Sequence, residues 1–89
     1  MNAIITVVGS DKVGIIAKVS GYLAERNINI IDISQTVLSG NFVMMMVVDL
    51  SSGAKPLDEI KKELAAMGDS FNVSISMMHE KVFSAMHRI

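Results

Sequence analysis

The chain has no cysteine and no tryptophan, one proline, one tyrosine and three phenylalanines in 89 residues. Without cysteine there is no disulfide, no thiolate metal site and no cysteine nucleophile. The aromatic strand that reads single-stranded RNA is absent, and the run Phe42 to Val48 offers methionine where stacking rings would be needed. Formal net charge is -1, with no block of like charge. The basic stripe that grips a nucleic-acid backbone is therefore absent. The longest uninterrupted apolar run, Phe42 to Val48, falls far short of the ~20 residues that cross a bilayer. The N-terminus runs straight into a strand-like pattern and lacks the basic, apolar and cleavable order of a signal peptide. The expectation is a cytoplasmic protein that engages neither membrane nor nucleic acid.

What is present is apolar. Hydrophobic residues make up 51% of the chain, and eight are methionine, which argues against disorder. The length suits one domain, residues 1–89, with a core over about 1–80 and a tail over 81–89. A chain this short buries only about 60–65% of its unfolded surface, so a second subunit would help it.

Ala3 to Val8, "AIITVV", is short, β-branched and stopped by Gly9, as a buried strand is. "GSDKVG" follows, with Asp11 placed to cap a helix. From Val13 the period changes: Val13, Ile16, Ser20 and Leu23 share a helical face, with Ile15, Val19 and Tyr22 beside it. Asn27 suits a left-handed helix end. "INIIDISQTVL" and "FVMMMVVDL" are two strand-like runs joined at Ser39-Gly40-Asn41, a hairpin signal. Pro56 opens a second helix marked by Leu57, Ile60, Leu64 and Met67, with Gly68 as its stop. A last strand alternates Phe71, Val73, Ile75 and Met77 against Asn72, Ser74 and Ser76. Val82, Phe83 and Met86 have helical spacing in the tail.

This βαββαβ order predicts an α+β, ferredoxin-like sandwich: a four-stranded antiparallel sheet with both helices on one face. Such a sheet should alternate apolar and polar, yet Phe42 to Val48 is apolar on both faces. Something covers the face away from the helices. A second copy of the chain is the favoured cover, and the C-terminal tail is the other. Methionine fills irregular gaps in either case.

The loop between the first strand and the first helix poses the functional question. Gly9 and Gly14 have the P-loop spacing, but Ile15 and Ile16 stand where Lys and Ser/Thr are needed. Ser10 has no local base, since His79 and His87 sit at the far end of the sequence. No arginine lies between Gly9 and Gly14 to hold a phosphate. The residues therefore argue against an enzyme. What the loop does offer is free N–H groups for a carboxylate, the Asp11 carboxylate for an ammonium, and Gly14 for close approach. These are the needs of a free α-amino acid.

"VVGSDKVGIIAKVSGYLAERNINIIDISQTV" resembles the opening of an ACT domain. In that family a strand leads into a D/N-x-x-G turn, an apolar helix and an "xNI" that opens the second strand. The commoner loop reads D-R-P-G; here Val13 replaces the proline. The resemblance covers residues 1 to about 80, and the ending "HEKVFSAMHRI" resembles small single-domain ACT proteins related to the glycine-cleavage repressor group. The resemblance implies a non-catalytic regulatory module that works as a homodimer, with no cofactor and no metal. It would bind an amino acid at the subunit interface and signal to a separate partner protein. The ligand-binding set it implies is Ser10, Asp11, Lys12, Val13 and Gly14 of the loop, with Asn29 and Ile30 at the opening of the second strand. Serine-responsive members carry a His two residues before the loop Asn/Asp, where this chain has Gly9, and Asp11 is an anion where Asn is neutral.

Each of these residues also has a plainer use. Asp11 can serve only as a cap, Gly14 only for tight packing, Asn29 only to satisfy backbone groups, and Lys12 as a solvated charge. Asp32, Ser34, Gln35 and Thr36 read as edge or interface contacts. His79-Glu80 with His87 is thin support for a metal site. The competing reading is a ligand-free dimerisation or protein-interaction module of the same fold.

Overall fold

The computed structural model of the chain describes residues 2–10, 12–50 and 56–82, with the side chains of Lys12 and Val13 outside that set. Six elements appear in the expected order: β1 (Asn2–Gly9), α1 (Lys12–Glu25), β2 (Asn29–Leu38), β3 (Asn41–Asp49), α2 (Leu57–Phe71) and β4 (Ser74–His79). The strands form one sheet in the order β2-β3-β1-β4, every neighbouring pair antiparallel. Each helical crossover thus skips one strand, the split-βαβ arrangement.

Along β1 and its neighbours the side chains divide by parity. Ala3, Ile5 and Val7 stand in register with Val48, Met46 and Met44 of β3, and Ile5 and Val7 also with Met77 and Ile75 of β4. All eight belong to one buried cluster with Ile15, Val19, Tyr22 and Leu23 of α1 and Ile60 and Leu64 of α2. Burying such a side chain contributes about 1.5–3 kcal/mol. The opposite face carries Ile4, Val8, Val43, Met45, Val47 and Met78, so β3 is apolar on both sides as its sequence requires.

Both helices end alike. Asn27 and Asn72 each take φ 56°. The N–H of Ile28 reaches the Leu23 carbonyl at 2.9 Å, and that of Val73 reaches Gly68 at 2.9 Å, the paired bonds of a Schellman close. The expectation that Gly68 stops the second helix is therefore corrected: α2 runs on to Phe71, with Gly68 buried inside it. A Cβ on Gly68 would lie 2.7 Å from the Val73 carbonyl oxygen, so this glycine serves helix–sheet contact. Phe71 and Asn72 consequently belong to the helix end; of the expected alternation Val73, Ile75 and Met77 are buried in the core, and Phe71 packs half-buried against it.

The buried stripe of α1 also turns slightly from the sequence reading. Ile15, Val19, Tyr22 and Leu23 are buried, while Ile16 and Ser20 sit at its margin. Pro56, with φ -62°, precedes the first turn of α2. The β2–β3 connection is two residues long, Ser39 and Gly40, both at positive φ, which matches the right-handed strand twist. Asn41 is already in β3.

Candidate functional site

The sheet has two ends. At one, Gly9 of β1 lies opposite Phe42, and Phe42 opposite Val37. At the other, Asn2 lies opposite Asp49, and Asp49 opposite Asn29. The chain leaves β1 at the Gly9 end, passes Ser10, which is exposed, and enters α1 at Lys12. The helix starts of Lys12, Val13 and Gly14 therefore hold their unpaired N–H groups at the Gly9 end, where the helix dipole favours an anion. Asp11 lies outside the described residues. Gly14 is half-buried in the first turn.

Asn29 and Ile30 are at the other end. Asn29 is exposed and opens β2, and Ile30 pairs with Val48 and stays 36% exposed. Seven residue steps of β1 separate the two rows, about 23 Å at the rise of a strand. Within one chain the structure does not bring the loop and Asn29 together. No free amino acid spans that gap.

β2 is the edge strand, and all ten of its residues are exposed. Its alternation is readable: Ile33, Gln35 and Val37 stand opposite buried Met46, Met44 and Phe42, on the helix side. β2 is the edge of the sheet, and these side chains stay exposed. A register shift between Ile30 and Asp32 puts Ile31, 55% exposed, at a bulge. Sequence reasoning anticipated polar edge contacts at Asp32, Ser34, Gln35 and Thr36. It did not anticipate that the isoleucines beside them also face outward.

A second cluster fixes the end of α1 nearest Asn29. The Tyr22 hydroxyl donates to Glu63 Oε1 of α2. The Arg26 guanidinium lies 3.8 Å above the Tyr22 ring, with its Nε 3.4 Å from the same carboxylate. The Nε contact is ionic, without hydrogen-bond alignment. Burial, and then the bond to Glu63, push the Tyr22 phenol up to about 12. A spacing of four residues, Tyr22 to Arg26, is the only sequence signal of this latch.

A Cβ on Gly9 would stand 2.8 Å from the Cβ of Val73, so β1 ends against Val73 with no room for a side chain at position 9. His79 is half-buried, and its Nδ1 accepts the Lys81 N–H at 3.0 Å. Among the described residues no group of three or more metal-capable side chains gathers, and no helix is long and apolar enough to cross a membrane. His87 lies outside the described residues.

Against known proteins, a family model described as "ACT domain" matches residues 2–78. A UPF0237 protein of Listeria monocytogenes is 51% identical over 89 residues, covering all of both chains. The solved structure of an ACT domain protein from Streptococcus pneumoniae superposes with a TM-score of 0.82 at 48% identity, covering 98% of each chain. A crystal structure described as a glycine cleavage system transcriptional repressor shares the fold, with a TM-score of 0.69 at 23% identity over 85% of this chain and 43% of the other.

Proposed function

The chain belongs to the ACT domain family, a family of regulatory, small-ligand-binding domains, and from that premise we propose that it binds a free α-amino acid between two copies of itself. The bound state would then be passed to a separate protein. The observation that carries the reading is the separation of the loop and Asn29 along an exposed edge strand. If two copies pair antiparallel along β2, a two-fold axis brings the loop end of one chain to the Asn29 end of the other. Each site then takes the helix N-terminus, with Ser10, Asp11 and Gly14, from one copy and Asn29 with Ile30 from its partner. The ligand carboxylate meets the free N–H groups, and its ammonium meets Asp11. The exposed Ile30, Ile31 and Ile33 become the apolar content of the interface.

Output follows by linkage. A ligand that touches both copies stabilises the paired state, and a partner protein that distinguishes paired from unpaired chains reads the amino-acid level. No group in the described site is placed to break or make a covalent bond, and the role is non-catalytic. One observation favours the competing reading, an interaction module without ligand: Val73 leaves no room for a side chain at position 9, where serine-responsive members use a His.

A thermal-shift panel against each of the twenty amino acids separates the two. A ligand at 100 times its Kd adds about 2.7 kcal/mol, and each kcal/mol raises Tm by roughly 4–8 °C in a domain of this size. A shift with one or two amino acids, lost in Asp11→Ala and in Asn29→Ala, is the expected result. A flat panel supports the ligand-free module.

A further inference from the structure

We infer that the amino acid held between two copies has an aliphatic side chain, seated on Val37 of one copy and on Ile30 of its partner, a reading that rests on the pairing along β2 proposed above.

The residues of β2 divide between the two sides of the sheet according to their partners on β3. Ile30, Ile33, Gln35 and Val37 stand opposite Val48, Met46, Met44 and Phe42, all buried in the core. Asn29, Asp32, Ser34, Thr36 and Leu38 stand opposite Asp49, Val47, Met45, Val43 and Asn41, on the other side. Ile31 is the extra residue at the register shift. The one charge of the strand, Asp32, is therefore on the open side, and the core side carries three aliphatic residues and one amide. The fold of a single chain does not account for this division, because every residue of β2 is exposed in it.

Paired residues of an antiparallel ladder face the same side of the sheet. A symmetric β2 pair that uses the whole strand meets this condition with Ser34 on the axis. Ile33 then lies opposite the partner's Gln35, and Asp32 opposite the partner's Thr36. With Ile31 taken up by the bulge, Ile30 comes opposite Val37 and Asn29 opposite Leu38.

Gly9, Phe42 and Val37 form one row across β1, β3 and β2. Val37 thus stands two strand spacings, about 10 Å, from the residue where the chain turns toward α1, and the partner's Ile30 stands one spacing further. An amino acid whose carboxylate meets the free N–H groups of α1 has these two side chains to rest its own on. Val37 is 70% exposed, the most of any large apolar side chain described, so its methyl groups are open to a ligand. No residue on this side of β2 offers a charge. A ligand carboxylate or ammonium seated there would lose hydration without gaining a partner, whereas an aliphatic side chain gains the apolar area it buries.

Calorimetric titration of the full chain with glycine, alanine, 2-aminobutyrate, valine and leucine, and with serine, aspartate and lysine, tests the inference. Affinity should rise about fourfold for each carbon added from alanine to valine. Valine or leucine should bind tightest, with serine, aspartate and lysine about tenfold weaker or worse. Val37→Ala should weaken leucine about tenfold and alanine much less, whereas a general effect on folding or pairing would weaken both alike. Tightest binding by serine, aspartate or lysine overturns the inference and leaves the amino-acid reading standing. Equal losses in Val37→Ala, or none, do the same. A flat response to all eight overturns the inference, and a flat response to all twenty in the thermal panel overturns the amino-acid reading with it.

Discussion

Val73 is held between two glycines. A Cβ on Gly9 would stand 2.8 Å from the Val73 Cβ, and one on Gly68 would stand 2.7 Å from the Val73 carbonyl oxygen. The end of β1, the last turn of α2 and the approach to β4 therefore meet without any intervening side chain. Gly9→Ala should lower stability by about 1–3 kcal/mol, the usual range for overpacking, and Gly9→His by more. Val73→Ala in the Gly9→Ala background should recover part of the loss, because it removes the methyl groups closest to the new carbon. Urea unfolding of the two single variants and the double variant measures this coupling, and strictly additive losses would contradict the close approach.

The latch between α1 and α2 has its own pH signature. The Tyr22 pKa is raised from 10.0 to about 12 in the folded chain. Below pH 10 the phenol is neutral both folded and unfolded, and the contribution is constant. Between pH 10 and 12 the unfolded chain loses the proton while the folded chain keeps it, so stability falls as pH rises through that window. Tyr22 is the sole tyrosine, and ultraviolet titration reads it directly. Tyr22→Phe should cost about 1–2 kcal/mol at neutral pH through the lost bond to a carboxylate, and it should flatten the decline above pH 10 relative to the parent. A midpoint near 10 in the folded parent would show that the hydroxyl is solvated.

Much of this fold is written locally. Ser39-Gly40 marks the hairpin because positive φ at two successive residues is costly for most side chains. Asn27 marks a helix end for the same reason. The two-faced character of β3 is plain from Phe42 to Val48, since successive strand residues point to opposite sides. The misreadings have tertiary causes. Gly68 looks like a stop, but its missing Cβ answers to the Val73 carbonyl, a contact that no local pattern announces. Ile30, Ile33 and Val37 stand opposite core residues of β3, yet they are exposed because β2 is the edge strand. Position in the sheet is a property of topology, and neighbours in sequence do not carry it. The sequence names Asp11, Gly14 and Asn29 as candidates one by one, but the distance between the helix start and Asn29 follows only from the register of β1, β3 and β2.

Pairing along β2 predicts where a charge does most harm. Asn29–Leu38 has ten residues, so in a symmetric antiparallel pair Ile33 and Ser34 lie beside the axis. Ile33 is 42% exposed in the single chain, and a lysine there can reach solvent. Ile33→Lys would set two like charges against each other across the axis and cover the apolar edge, a device that blocks edge-to-edge association. Sedimentation equilibrium should find the parent chain as a dimer and the variant shifted strongly toward monomer, with an unchanged circular dichroism spectrum. A dimer that survives Ile33→Lys would place the interface elsewhere.

The proposed sharing of a site between two copies has a consequence for mixtures. Asp11→Ala destroys the loop half of both sites in its homodimer, and Asn29→Ala destroys the strand half of both in its own. Neither should bind the amino acid that the thermal panel identifies. In a heterodimer of the two variants, one site receives both substitutions and the other receives none, because each site draws Asp11 from one copy and Asn29 from its partner. Equal amounts of the two variants, unfolded together and refolded, should therefore regain binding at one site per heterodimer, with the affinity of the parent chain. Calorimetric titration gives both quantities at once. With statistical assortment about half of the dimers are heterodimers, so the mixture should show roughly a quarter of the parent's sites per chain. If each chain held its own complete site, every chain in the mixture would carry one substitution and no binding would return.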